Sequence, residues 1–149
     1  MKRTAVILLT LLSISAFSGC SASGPAFARR EHPDPNQALV YIYRPANLIG
    51  AASVTTISID AEDRGQLKEK GYLVFDLKPG KRMIEARYWG TPPLTLYLDA
   101  AAGEEYFLRW FVDIGEGYGI SHTLSFGQIP SEYALREIQY TKLSVKKSE

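Results

Sequence analysis

From Ala38 to Phe126 the chain is a succession of short apolar runs, each closed within a few residues by proline, glycine or aspartate. Punctuation of that kind argues against long helices and for β architecture. The clearest unit is Tyr72-Leu73-Val74-Phe75-Asp76-Leu77, where Leu73, Phe75 and Leu77 share a face. Lys78-Pro79-Gly80 follows; proline presets φ and glycine supplies a positive φ. Arg82 to Trp89 resumes the alternation, with Ile84, Ala86 and Tyr88 on one face against Glu85 and Arg87. The two runs read as a tight hairpin.

Further strands flank it. Leu39 to Arg44 is β-branched and aromatic and ends at Pro45, and Ser53 to Ile59 alternates up to a turn cluster, Asp60 to Gly65. Leu94 to Leu98 alternates, Tyr106 to Val112 is apolar on both faces as in a central strand, and Ile120 to Phe126 alternates again after Gly115-Glu116-Gly117-Tyr118-Gly119. Ser131 after Pro130 is placed to cap a short helix carrying Ala134, Leu135 and Ile138, and "KLSVKKSE" reads as a frayed tail. The expected fold is all-β and mainly antiparallel, a small sandwich or barrel with a short C-terminal helix.

The N-terminus is of another kind. Lys2 and Arg3 precede an apolar core from Ala5 to Phe17, and small residues follow. This is the pattern of an export signal, too short for a permanent membrane span of about 20 residues. Ser18-Gly19-Cys20 resembles the lipobox of bacterial lipoproteins, although Phe17 stands where leucine is usual. The resemblance implies removal of residues 1–19, acylation of Cys20 and a permanent lipid anchor. Several buried acyl chains hold a protein at a bilayer where one would not. Ser21 is not the aspartate that resembles an inner-membrane retention signal, which points to the outer membrane with the domain facing the periplasm. Ala26-Phe27-Ala28 offers a rival cleavage site after Ala28. Residues 20–37, rich in Ser, Ala, Pro and charge, read as a lipidated cysteine with a flexible tether, and 38–149 as one β domain.

Charge narrows the function. The chain has 17 basic and 16 acidic residues, and loss of Lys2 and Arg3 turns a net +1 into −1. No basic face for nucleic acid is expected. Cys20 is the only cysteine, so acylation leaves no thiol for disulfides, redox work or a thiolate metal site.

Three segments, "ALVYIYRP" (38–45), "GYLVFDLKPGKRMIEA" (71–86) and "AGEEYFLRW" (102–110), together resemble the bacterial lipoproteins of the domain-of-unknown-function family 2846. The resemblance implies an envelope lipoprotein with a small immunoglobulin-like or related β domain, and it carries no catalytic residues.

The chemistry-bearing residues form no strong constellation. His32 lies in the expected tether, and His122 lacks thiol partners for zinc, with only Glu116 or Asp113 at hand. Ser121 or Ser125, His122 and Asp113 lack a nucleophile elbow, and adjacent strand residues point apart. Glu104, Glu105, Asp60, Glu62 and Asp63 lack calcium-loop spacing and read as solvated turns. "GEGYG" precedes a strand rather than the helix a phosphate loop needs. Neither cofactor nor metal is expected. Trp89, Tyr97 and Tyr118, near turns or on polar-phased faces, are the candidate surface contacts for an envelope protein or glycan. The expected role is therefore a non-enzymatic, lipid-anchored envelope domain that is structural or binds a partner. The alternatives are an inhibitor-like or immunity module presenting Gly115–Gly119, and a cryptic periplasmic hydrolase.

Overall fold

The computed structural model describes residues 21–31, 34–47, 50–115 and 121–146, with the backbone alone at 114, 115, 121, 122 and 146. Ten strands form two five-stranded sheets. The first runs in the order β8 (Ser121–Gln128), β7 (Glu105–Gly115), β1 (Ala38–Arg44), β4 (Gly71–Leu77) and β9 (Lys142–Leu143). The second runs β10 (Val145–Lys146), β3 (Glu62–Leu67), β2 (Thr55–Ile59), β5 (Gly80–Tyr88) and β6 (Leu94–Ala100). The architecture is a β-sandwich with one short helix, α1 (Ser131–Ile138).

Strand β1 explains why the layers are three rather than two. All seven of its residues are buried. Val40 and Ile42 join Ile57, Leu73, Ile84 and Trp110 in the core between the sheets. Leu39, Tyr41 and Tyr43, at the alternate positions, belong to a second apolar cluster with Tyr72 and Phe107 on the outer face of the first sheet. An apolar outer face must be covered. Helix α1 supplies Ala134 and Ile138, and the segment after Ser21 supplies Phe27.

That segment corrects the tether expectation. The Ala22 N–H donates to the Glu69 carbonyl at 2.9 Å, Phe27 N–H to Thr141 at 3.0 Å, and Leu143 N–H to Pro25 at 2.8 Å. Phe27 sets its ring edge-on to Tyr41 and Tyr72, with centroids 5.4 and 5.3 Å away. Arg29 grips Glu105 through two nitrogens, and Arg30 pairs with Asp76. Residues 21–30 are a strap on the domain, not a spacer from it.

The expected hairpin of Tyr72–Leu77 with Arg82–Trp89 does not form: β4 pairs with β1 and β9 in the first sheet and β5 with β2 and β6 in the second. Their apolar faces, Leu73, Phe75 and Leu77 against Ile84 and Ala86, meet across the core between the sheets, so Pro79-Gly80 carries the chain from one layer to the other. Other boundaries move for local reasons. The expected turn cluster at Asp60 to Gly65 shrinks to Asp60 and Ala61, whose φ values of 53° and 68° reverse the chain in two residues. Glu62 to Leu67 then pairs with β2 as a strand whose polar residues face outward. The helix cap is Pro130, with no side-chain cap bond, rather than Ser131. The tail is not frayed through Val145: Lys142 and Leu143 pair with Gly71 and Tyr72, and Val145 pairs with Gln66.

Two turns give direct tests. Gly80, opening β5, has φ of +119° and nothing within 4 Å of where a Cβ would stand. The cost of a side chain there is purely conformational, so Gly80→Val is expected to destabilise by about 1 kcal/mol or more, read as a lowered Tm. Asp60 accepts from the Met83 N–H at 3.1 Å and from Arg82 at 2.8 Å. Partial burial pushes its carboxyl up, but those two donors outweigh it and hold the pKa below the ordinary aspartate value. A depressed folded pKa stabilises above the unfolded value and is lost as pH falls through the folded one. Acid denaturation should therefore lose a component below the ordinary aspartate range in Asp60→Asn.

The connections sort onto two ends of the sandwich. Arg44, Thr55, Leu67, Gly71, Tyr88 and Leu94 lie together at one end, as their registers require. We refer to it as the Arg44 end. Gly115 opposite Ser121 places the β7–β8 connection there too. The Gly80 end holds the β2–β3, β4–β5 and β6–β7 turns.

Candidate functional site

Arg44 closes β1 and is 1% exposed. A guanidinium at that depth needs partners. Its Nη1 donates to the Ser53 carbonyl at 2.8 Å and its Nη2 to the Gly50 carbonyl at 2.6 Å. Its plane lies over Trp110, 4.5 Å from the ring centroid. Tyr88 tilts against the same indole at 5.4 Å and accepts a hydrogen bond from the Ser53 hydroxyl at 2.9 Å. Burial lowers the Arg44 pKa, from a starting point so high that the charge persists. The assembly latches the β1–β2 connection onto the core. Arg44 and Trp110 within it are buried from solvent, and Tyr88 is half-buried at its edge.

The outer face of the first sheet is tied as well. Tyr43 donates to Glu137 of α1 at 2.8 Å, and Arg109 lies 3.1 Å from the same carboxylate while stacking on Phe111. Burial, and then the Glu137 contact, drive the Tyr43 pKa upward, so it stays a hydrogen-bond donor at any physiological pH.

Surface hollows are shallow and their charges largely paired. A cleft of about 670 Å³ at the Gly80 end is lined by Arg29, Arg30, Glu31, Glu104, Glu105 and Ser131. Arg29 is committed to Glu105 and Arg30 to Asp76. A hollow of about 290 Å³ includes Asp60 and Arg82, which bind each other. A third, about 370 Å³, lies on the second sheet between Val54, Thr56, Gln66, Arg87, Tyr88 and Trp89. Arg87 there pairs with Asp63. Among the described residues no three His, Cys, Asp or Glu side chains gather as metal ligands would.

The sequence-derived candidates fall as follows. Cys20, His32, Glu116 and Tyr118 lie outside the described residues. Ser21 bridges to Glu69, its hydroxyl donating to the carboxylate at 3.0 Å. His122 stands opposite Ile114, and Asp113 opposite Thr123, in the β7–β8 register. Trp89 is 89% exposed and Tyr97 is 76% exposed. Tyr97 lies in β6 and Trp89 in the turn that follows β5, and they do not form one patch. Tyr97 stands opposite Met83. Five residues of β5, Ile84 to Tyr88, separate that position from Trp89, about 20 Å at strand spacing. Arg44 is not among the candidates that the sequence suggests; its signal is a charge ending an otherwise apolar strand just before Pro45.

The family model described as "Protein of unknown function (DUF2846)" matches residues 34–119. The chain belongs to this family. No curated protein matches it. In this DUF2846 chain the match spans β1 to β7 and stops before β8 and α1. The three motifs have structural duties within it. Arg44 is the latch, Pro79-Gly80 turns the chain from β4 in the first sheet to β5 in the second, and Gly103, with φ of +78°, turns the chain so that Glu104 accepts from the Leu39 N–H at 2.9 Å. The DUF2846 segment is thus a frame, closed over by a strap and a helix from outside it.

Proposed function

We propose that this protein is a non-enzymatic, lipid-anchored envelope protein, held through Cys20 in the outer membrane on the periplasmic side, that binds an envelope protein on the open face of its second sheet. One observation carries the reading. The outer face of the first sheet is covered by the strap and α1, whereas that of the second carries no covering layer among the described residues and presents Tyr97, 76% exposed, opposite the half-buried Met83. A large aromatic left exposed at mid-strand is the kind of group that anchors protein interfaces.

Two features support anchoring at Cys20. The leader has the composition of an export signal ending in Ser18-Gly19-Cys20. The strap begins at Ser21, so a cut before Cys20 retains it, whereas a cut after Ala28 would discard Phe27 and expose Tyr41 and Tyr72. Cys20→Ala should abolish acyl labelling and release the protein from the membrane fraction; persistence there would sink the anchor. A photoreactive phenylalanine at position 97 should crosslink to one discrete envelope protein in cells. Absence of any crosslink would remove the binding face.

A further inference from the structure

The Arg44 end carries more than turns. Ser21, the residue bonded to Cys20, bridges to Glu69 in the β3–β4 turn at this end. Trp89 follows the last residue of β5 at the same end and is 89% exposed. Tyr140, 78% exposed, precedes Thr141 and Lys142, and the Lys142 N–H donates to the Lys70 carbonyl in that same turn at 2.9 Å. Val145, 56% exposed, stands opposite Gln66, one residue from the end of β3. Three of the five large apolar side chains most exposed among the described residues therefore gather where the chain would leave for its anchor. Lys70 and Lys142 are exposed beside them.

We infer that the Arg44 end rests on the bilayer, with Trp89 and Tyr140 seated at headgroup level on either side of the acylated cysteine. The inference rests on anchoring at Cys20. Its physical basis is the chemistry of membrane interfaces, where Trp and Tyr place an apolar ring and a polar edge across the boundary and Lys reaches the phosphates. Position supplies the rest. Trp89 stands in the turn after β5 of the second sheet, while Tyr140 follows α1 on the outer side of the first. The contacts are therefore separated across the width of the end, as a stable seat requires. Ser21 is tied to Glu69 through both backbone and side chain, and Ala22 is 7% exposed. The domain has no free spacer after Cys20 with which to stand away from the lipid. Tyr97, mid-strand on the second sheet, is left facing the periplasm.

The test uses the full chain, expressed with its leader and reconstituted into vesicles of phosphatidylethanolamine and phosphatidylglycerol containing lipids brominated near the headgroup. The chain has two tryptophans, and Trp110 is buried in the core, so shallow quenching reports on Trp89. Emission of the wild type should be quenched, and the quenching should vanish in Trp89→Phe. Tyr140→Ala should reduce it, and Tyr97→Ala should leave it as in the wild type. Acyl labelling is measured on the same samples. A labelled, vesicle-bound protein whose tryptophan emission is unquenched, or quenched equally in Trp89→Phe, overturns the seated orientation and leaves the anchor standing. Loss of acyl labelling in the wild type overturns both. The vesicles contain no other protein, so quenching there excludes a protein as the occupant of this end.

Discussion

Trp110→Ala is expected to lower the stability of this domain by about 4 kcal/mol, measured by denaturant titration. The indole is fully buried at the centre of the inter-sheet core. It is also the surface on which Arg44 and Tyr88 rest. Truncation leaves a cavity and removes the aromatic face from a buried guanidinium that keeps only two carbonyl contacts. A domain of ordinary stability holds about 5–15 kcal/mol in total, so the variant should stand near its folding threshold. Trp110→Phe is expected to cost less, under about 2 kcal/mol. The indole N–H has no hydrogen-bond partner, so phenylalanine forfeits packing alone. Equal losses in the two variants would show that the latch, rather than the volume, fails.

Gly71→Ala is the second large effect, about 3 kcal/mol by the same titration. A Cβ at Gly71 would clash with the Ser144 hydroxyl and would stand 2.7 Å from the Lys68 carbonyl and 3.1 Å from the Ala22 Cβ. The first contact could be relieved by a side-chain change, but the second is backbone. Ser144→Ala removes a hydroxyl that accepts from the Lys68 N–H at 3.2 Å and so costs stability alone. Combined with Gly71→Ala it should cost less than the sum, because one of the clashes goes with it. Strict additivity would mean that the Lys68 carbonyl alone sets the limit. Position 71 is where the strap, the β3–β4 turn and the C-terminal strand meet, so the loss should appear as one cooperative transition.

What the sequence made legible follows from range. Leu73, Phe75 and Leu77, then Ile84 and Ala86, mark two strands and Pro79-Gly80 the turn between them, because alternation and turn chemistry are local signals. That the two strands belong to different sheets was not legible, because it depends on the distant partners β1, β2 and β6. The apolar run from Tyr106 to Val112 identifies a central strand because both its faces are buried. The strap was illegible for the opposite reason. Phe27 has no periodic neighbours in its own segment; its partners, Tyr41 and Tyr72, sit on two strands further along the chain. Strand β3 was hidden by its composition, since Glu62, Asp63, Arg64 and Gln66 look like a solvated turn until β2 pairs with them. The exposure of Trp89 and Tyr97 could be suspected from phasing. Their separation could not, because it depends on the β5–β6 register.

The parallel pairing of β1 with β7 also bears on the order in which such a chain can fold. Leu39 stands opposite Glu105 and Tyr43 opposite Arg109, so the innermost strand of the first sheet waits for one of the last. A polypeptide emerging N-terminus first presents β1 long before β7 exists to flank it. The hairpin of β5 and β6 can form early, but the first sheet cannot close until Arg109 has appeared. Pairings so distant in sequence make closure slow relative to local turns. During that delay β1 has only one of the two neighbours that bury it, so its apolar side chains stay uncovered on one edge. The same topology that buries β1 on every side makes it one of the last strands to be fully enclosed.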